Sequence, residues 1–554
     1  MKTTIKIFVL AIVTMLQSQK TIAQSPTWQW AKSAGSTGGE AAMGSALDAA
    51  GNLYVVGWYT SANLTFGSIT LTNPGVGTGD IFLVKYDAAG NTLWAKTFGG
   101  VDGDIGNGIA VDASGNIYIT GWYASSTISF GALTLTNSGT ASSDIFIVKL
   151  NPSGTEVWAK SAGGSANDRG YGITLDEAGN VFTTGSFSSG TINFGTGNLT
   201  NASAVNDFFV TKHSSAGTIL WAKSAGGTAA DVGHSVATDS LGNVYVTGVF
   251  SSSSINFGIG SLNNSASGTQ DVFVTKYNGS GSAVWSTRSG GALDDAGSGI
   301  AVKKNGVFVT GGFNSASVIF GATTLNNNTT GTSDVFVTKY DLDGNSMWAN
   351  RYGDADSEAG NSIALNAGGT PFVTGFFISN SISFGSVTLT NSGSGYRDLF
   401  VCAFNPNGNV AWATSASGGT YDEAGNTISV NNNGAEIYVG GVFNSPVVSF
   451  GANSVFKGCG DDIFISKLIG SSTVGINENV IKSQLSIYPN PNQGKFTIKA
   501  EGQIILYNTI GEIIITEGLS KNNFFDLSEQ PKGVYLYHVI SEKGNNYFGK
   551  IIVE

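Results

Sequence analysis

Gly108-Ile109-Ala110-Val111-Asp112-Ala113-Ser114-Gly115-Asn116-Ile117-Tyr118-Ile119-Thr120-Gly121 reads as two short strands joined by a tight turn. Both apolar runs are rich in β-branched and aromatic residues, and Asp112 to Asn116 carry turn chemistry. Downstream, Ile145–Leu150 reads as a third strand, Asn151–Gly154 as a turn and Glu156–Lys160 as a fourth strand. Between the second and third strands lies a variable excursion with a short hairpin around Phe130-Gly131. No segment sustains a 3.6-residue apolar period.

The unit repeats seven times. Tryptophan recurs at Trp30, Trp94, Trp158, Trp221, Trp285, Trp348 and Trp412, at intervals of 63 or 64 residues. A Phe-Gly pair recurs in step from Phe66 to Phe450, and a strand-opening aspartate recurs from Asp80 to Asp462. Three markers sharing one period and one count define a repeat array. Composition agrees: Gly is 78 of 554 residues, charged residues are 12% and aromatics 11%. That mix suits short strands and tight turns rather than collagen or a disordered chain.

The phase of the repeat favours a ring over an open solenoid. A tryptophan strand at Trp30 precedes the first complete unit, and none follows Asp462–Lys467. The N-terminal strand is therefore expected to complete the last sheet. The expected fold is all-β: a seven-bladed β-propeller over 24–469, closed by the N-terminal strand and followed by a small β-sandwich-like domain over 484–554. Residues 470–483 read as a linker. Residues 1–23 read as a signal peptide, with Lys2 and Lys6, an apolar stretch Ile7–Leu16, and small residues Thr21 and Ala23 before the cleavage point. No segment is apolar and long enough for a transmembrane helix.

The repeat resembles the bacterial β-propeller repeat called SBBP. The resemblance rests on the string Gly108–Gly121, on Asp144-x-Phe146-x-x-Lys149 and on Gly154-x-x-x-Trp158. The C-terminal segment is similar to the type A sorting domain of the type IX secretion system. It carries Tyr488-Pro489-Asn490-Pro491, Gly494-x-Phe496-x-Ile498, Tyr507-Asn508-x-x-Gly511, Asp526-Leu527-Ser528 and Gly533-Val534-Tyr535. This resemblance implies recognition by the type IX secretion machinery and a secreted or surface-attached protein at the outer surface of a Gram-negative cell.

Chemistry is sparse. A net charge of −11 without a basic stripe argues against nucleic-acid binding. An acid precedes each first strand: Glu40, Asp104, Asp168, Asp231, Asp295, Glu358 and Glu423. Turn capping explains such a regular feature better than metal binding does. No cofactor is expected; a structural cation such as calcium would meet carboxylates here, but no ligand-spacing motif specifies it. Asp231, His234 and Ser235 offer triad residue types without evidence of triad geometry, and Asp294/Asp295, Asp354/Asp356 and Asp422/Glu423 are loop acids. The sequence leaves open whether Cys402 and Cys459 bond.

Function is therefore sought where the repeat fails. Trp58 and Trp122 replace smaller residues found at this position in several other units, and they are the candidate ligand contacts. Tyr59 and Tyr123 beside them align with a core-like ring of phenylalanines. The leading expectation is an exported binding or adhesion scaffold for glycan, matrix or protein partners. The alternatives are a polysaccharide-active enzyme and a passive structural protein of the cell surface.

Overall fold

A computed structural model describes residues 26–195, 197–201, 203–419, 421–470, 486–508, 513–541 and 546–554. The expected signal peptide lies outside the described residues, as does the linker beyond residue 470. Every regular element among the described residues is a strand. The chain divides into two compact units, residues 1–472 and 473–554.

The first unit holds seven four-stranded antiparallel sheets. In one of them Asp104–Val111, Ile117–Tyr123, Asp144–Leu150 and Glu156–Ala162 pair in sequence order. The last sheet differs: Glu423–Val430, Glu436–Phe443 and Asp462–Ile469 are completed by Thr27–Ala34. Trp30 lies opposite Lys467, and Ala34 opposite Ile463. Each first strand packs on the first strand of the next sheet, and Glu423–Val430 packs on Glu40–Leu47. A two-stranded hairpin accompanies every sheet, such as Thr127–Phe130 with Leu133–Thr136. Its phenylalanine packs on the third strand, with Phe130 and Phe146 centroids 5.1 Å apart.

The core lies between sheets. One cluster joins Tyr54, Val56 and Leu83 of the first sheet to Ile109, Ile119 and Phe146 of the second. Outer strands are locked by the recurrent tryptophan. The Trp158 indole N–H donates to Ser215 O at 3.1 Å, and Trp221 and Trp285 donate equivalently to Gly279 and Leu342. Trp30 does the same to Ala88 O at 3.3 Å, across the junction between last and first sheets. Beneath its ring the turn residue Gly90 has φ +83°, and a Cβ there would lie 2.9 Å from the indole. Glycine is thus needed for backbone conformation and for clearance.

The glycine near the end of each second strand has a different reason. A Cβ on Gly121 would collide with Ile105 O and crowd the Phe146 ring. This is a site of close backbone approach; the bulge lies in the facing first strand, where register shifts between Gly106 and Gly108. The thiols of Cys402 (buried) and Cys459 (exposed) are free.

The second unit packs two sheets around Phe496, Ile498, Leu506, Phe525, Val539 and Ile551. Two of its sorting-type motifs, Tyr488–Pro491 and Gly533–Tyr535, meet the terminal strand Asn546–Val553. Asn490 Nδ2 donates to Lys550 O at 2.9 Å, while Ile552 N donates to Asn490 Oδ1 at 2.8 Å. Leu527 N donates to Gly494 O at 2.6 Å, which ties two further motifs together.

Deleting residues 26–34 should strip the last sheet of an edge strand and of the Trp30 contact, costing about 3 kcal/mol or more. Amide exchange tests this: protection should fall first in 462–469, with 271–277 retained. Equal loss in both segments would contradict the expectation.

Candidate functional site

Each first strand begins with a fully buried acid whose side chain ties down the loop that leaves the second strand. Asp104 Oδ2 accepts the Ser125 hydroxyl at 2.8 Å, and Oδ1 accepts the N–H groups of Ala124 and Ser125 at 3.1 and 3.2 Å. Asp168, Asp231 and Asp295 accept Ser189, Ser252 and Ser315 at 2.7, 2.7 and 2.8 Å. Glu40 is bonded to the Ser61 hydroxyl. Glu358 and Glu423 accept the N–H groups of Ser379 and Ser445 at 3.0 and 3.3 Å. These acids cap loops, as their regularity implied.

The sequence did not expose their pairing across the seams. Acids that open first strands face acids that open the preceding sheet's third strand, as Asp104 faces Asp80, Asp168 faces Asp144 and Glu40 faces Asp462. Burial pushes Asp104, Asp168, Asp231 and Asp295 up to about 6. Burial likewise pushes Glu40, Asp80 and Glu358 to about 7, against hydrogen bonds that pull them down. Burial first, and then the Asp398 carboxylate, raise Glu423 as well. Asp80, Asp144, Asp271, Asp334 and Asp462 each keep a buried Oδ1 with no hydrogen-bond partner among the described residues. Two facing carboxyl groups with an orphan oxygen favour retention of a proton.

The first-strand bulge re-aims one residue per sheet toward a cavity of ≈ 270 Å³ that all seven first strands line. Those residues are Met43, Asn107, Tyr171, His234, Ser298, Asn361 and Asn426. Four of them reach to a carbonyl of the next first strand. Asn107 donates to Gly170 O at 2.7 Å, Asn361 to Gly425 O at 3.0 Å and Asn426 to Ala42 O at 3.1 Å. His234 Nδ1 lies 2.9 Å from Gly297 O, and burial lowers its pKa. Asp231 is occupied by Ser252, so Asp231, His234 and Ser235 form no triad. Among the described residues no cluster of three metal-ligating side chains occurs. Asp294 and Asp422 accept the backbone N–H groups of Gln270 and Arg397, each at 2.9 Å.

Trp58 and Trp122 are half-buried at the same end of the sheets as the acids. Trp122 lies between Ile105 and Ile145 in register, and the Arg169 guanidinium of the next sheet sits 4.8 Å from its ring centroid. Trp58 lies between Ala41 and Ile81. Tyr59 and Tyr123 are fully buried, bonded to Thr97 and Ser161 at 2.8 and 2.7 Å. Sequence reasoning passed over Arg169. Its signal was legible: the residue after the first-strand acid is Ala41, Ile105, Val232, Ala296, Ala359 or Ala424 in the other units.

Two family models match parts of this chain. Residues 93–122, 157–186 and 220–249 match the family described as a β-propeller repeat, SBBP. Residues 486–554 match the secretion system C-terminal sorting domain. An uncharacterized WD repeat-containing protein of Acanthamoeba polyphaga mimivirus is 23% identical over 81% of this chain and 38% of its own. The regulatory protein FlaEY of Caulobacter vibrioides is 27% identical over 48% of this chain and 28% of its own. The chain thus spans well under half the length of these two curated relatives. The Neurospora crassa Pan2 WD40 domain aligns over 78% of this chain and 89% of its own, at 9% identity and a TM-score of 0.35. The protein is an all-β chain of β-propeller repeats with a type IX sorting domain, which points to secretion or the cell surface.

The raised acids have a stability consequence with a definite sign. A carboxyl group whose folded pKa lies above its unfolded value of about 4 stabilises the fold below that value. The contribution is lost as pH rises through 6 to 7. The thermal midpoint should therefore fall between pH 5 and pH 8, and Asp104→Asn should flatten the slope. Circular dichroism melts across that window check it; a rising midpoint would contradict it.

Proposed function

We propose that this protein is an exported scaffold, released or attached at the outer surface of a Gram-negative cell, that recognises an extracellular glycan, matrix polymer or protein. In this reading residues 1–23 direct export, 24–469 form a closed seven-bladed disc, 470–483 link it to the rest, and 484–554 are the address read by the type IX machinery. A rigid disc presenting loops at one end suits broad-face recognition.

One observation carries the reading. The last position of the second strands stays a buried aromatic, Tyr59, Tyr123, Phe187, Phe250, Phe313, Phe377 or Phe443. The position before it varies: Trp58, Trp122, Ser186, Val249, Gly312, Phe376 and Val442. Architecture fixes the first column and leaves the second free. Half-buried tryptophans in that free column offer apolar faces beside Ser, Thr and Asn loops, the composition that suits sugars and protein surfaces.

Screening the mature chain on a glycan and extracellular-polymer array tests this. Trp58→Ala and Trp122→Ala should each weaken a captured ligand about tenfold, equivalent to about 1.4 kcal/mol. Full affinity in both variants would remove these residues from the site.

A further inference from the structure

We propose that the seam between the second and third sheets binds a carboxylate group of an acidic polysaccharide through Arg169, whose guanidinium is held on the face of Trp122. The proposal rests on the glycan-binding reading and names its ligand class.

The chain has four arginines. Arg288 and Arg351 are neutralised within the fold by Asp271 and Asp334, at 3.1 and 2.6 Å. Arg397 stacks on Phe376 at 4.3 Å beside a loop acid, Asp422, whose Oδ1 accepts the Arg397 backbone N–H. Arg169 has no ion pair among the described residues, and its buried Nε has no hydrogen-bond acceptor. A buried N–H so left is unusual, because buried polar groups are almost always satisfied.

The surroundings preserve that charge. Where the Arg397 seam has Asp422, this seam has Asn167, and where it has Arg397, this seam has Ser143. Ser143 N and Oγ donate to Asn167 Oδ1 at 3.1 and 3.2 Å, so both loop side chains engage each other. Asp168, next to Arg169 in sequence, is fully buried and spends its oxygens on Ser188, Ser189 and Gly164. The loop side chains nearest this cation, Asn167 and Ser143, are thus uncharged, and the seam's own acids, Asp144 and Asp168, are buried, while the indole lies against the guanidinium. A planar fork with free N–H groups matches a carboxylate in a way that a lysine would not. The sugar ring would meet the exposed part of Trp122 and the neighbouring Trp58.

Four other units place alanine at the Arg169 position, so Arg169→Ala is a substitution the strand already accommodates. Affinity electrophoresis of the full chain would use polygalacturonate, its fully methyl-esterified form, dextran sulfate and dextran. Polygalacturonate should retard the wild type, the esterified polymer should not, and Arg169→Ala should weaken retardation about tenfold or more. Arg169→Lys should recover only part of it, and Arg397→Ala should leave it within about twofold of wild type. Retention by the Arg169→Ala variant, equal binding of the esterified polymer, or preference for dextran sulfate would each overturn the carboxylate assignment. Tryptophan-dependent binding of neutral polymers alone would sink this inference and leave the broader reading standing. Binding to no polymer would sink this inference and count against the glycan arm of that reading.

Discussion

The seam between neighbouring sheets is the constraint on which the first unit depends. Outer-strand tryptophans such as Trp158, Trp221 and Trp285 lie over a turn glycine of the next sheet and donate their indole N–H to that turn. The third-strand lysine reaches the same carbonyl, as Lys149 Nζ does to Ser215 O at 3.2 Å, while lying over the Tyr118 ring. Apolar clusters fill the space between the same pairs of sheets. A four-stranded sheet with two apolar faces is not stable alone, so these contacts are what make each repeat part of a fold. At the inner edge the bulge side chains continue the seam by bonding to the next first strand.

Much of this was legible because the repeat is regular. Tryptophan, Phe-Gly and aspartate share one period, and turn residues such as Asp112, Gly115 and Asn116 announce their geometry locally. Asp112 Oδ1 indeed accepts the Ser114 and Asn116 N–H groups at 2.9 Å. The bulge ring was not legible. An extra residue in one strand reverses the inside–outside alternation, and nothing local distinguishes Asn107 from a ladder residue. The carboxylate pairing was hidden for another reason: Asp80 and Asp104 open strands of different sheets, so their meeting is a fact of assembly. Trp58 and Trp122 were found as departures from the repeat, but Arg169 stood in an aliphatic column and was the more telling departure.

The second unit uses a different economy. Its motif residues are dispersed from Asn490 to Ser528 along the chain, yet several bond to one another or to the last strand. The short motifs are therefore one contiguous construction, stabilised by a single core. Their residue identities reflect local closure as much as recognition. That explains how the unit can be read from sequence independently of the repeats.

Thr27 pairs with Ile469, joining residues at opposite ends of the repeat array. Contacts of such sequence separation form slowly, since a long loop must close before they reward the chain. Synthesis and threading therefore leave the Trp30 strand waiting while six sheets can assemble behind it. A chain cut short before Asp462 lacks the strand that would receive it. The topology thus ties the two ends of the array together: loss of either Thr27–Ala34 or Asp462–Ile469 leaves the other with an unpaired sheet edge, the feature by which β-rich chains aggregate.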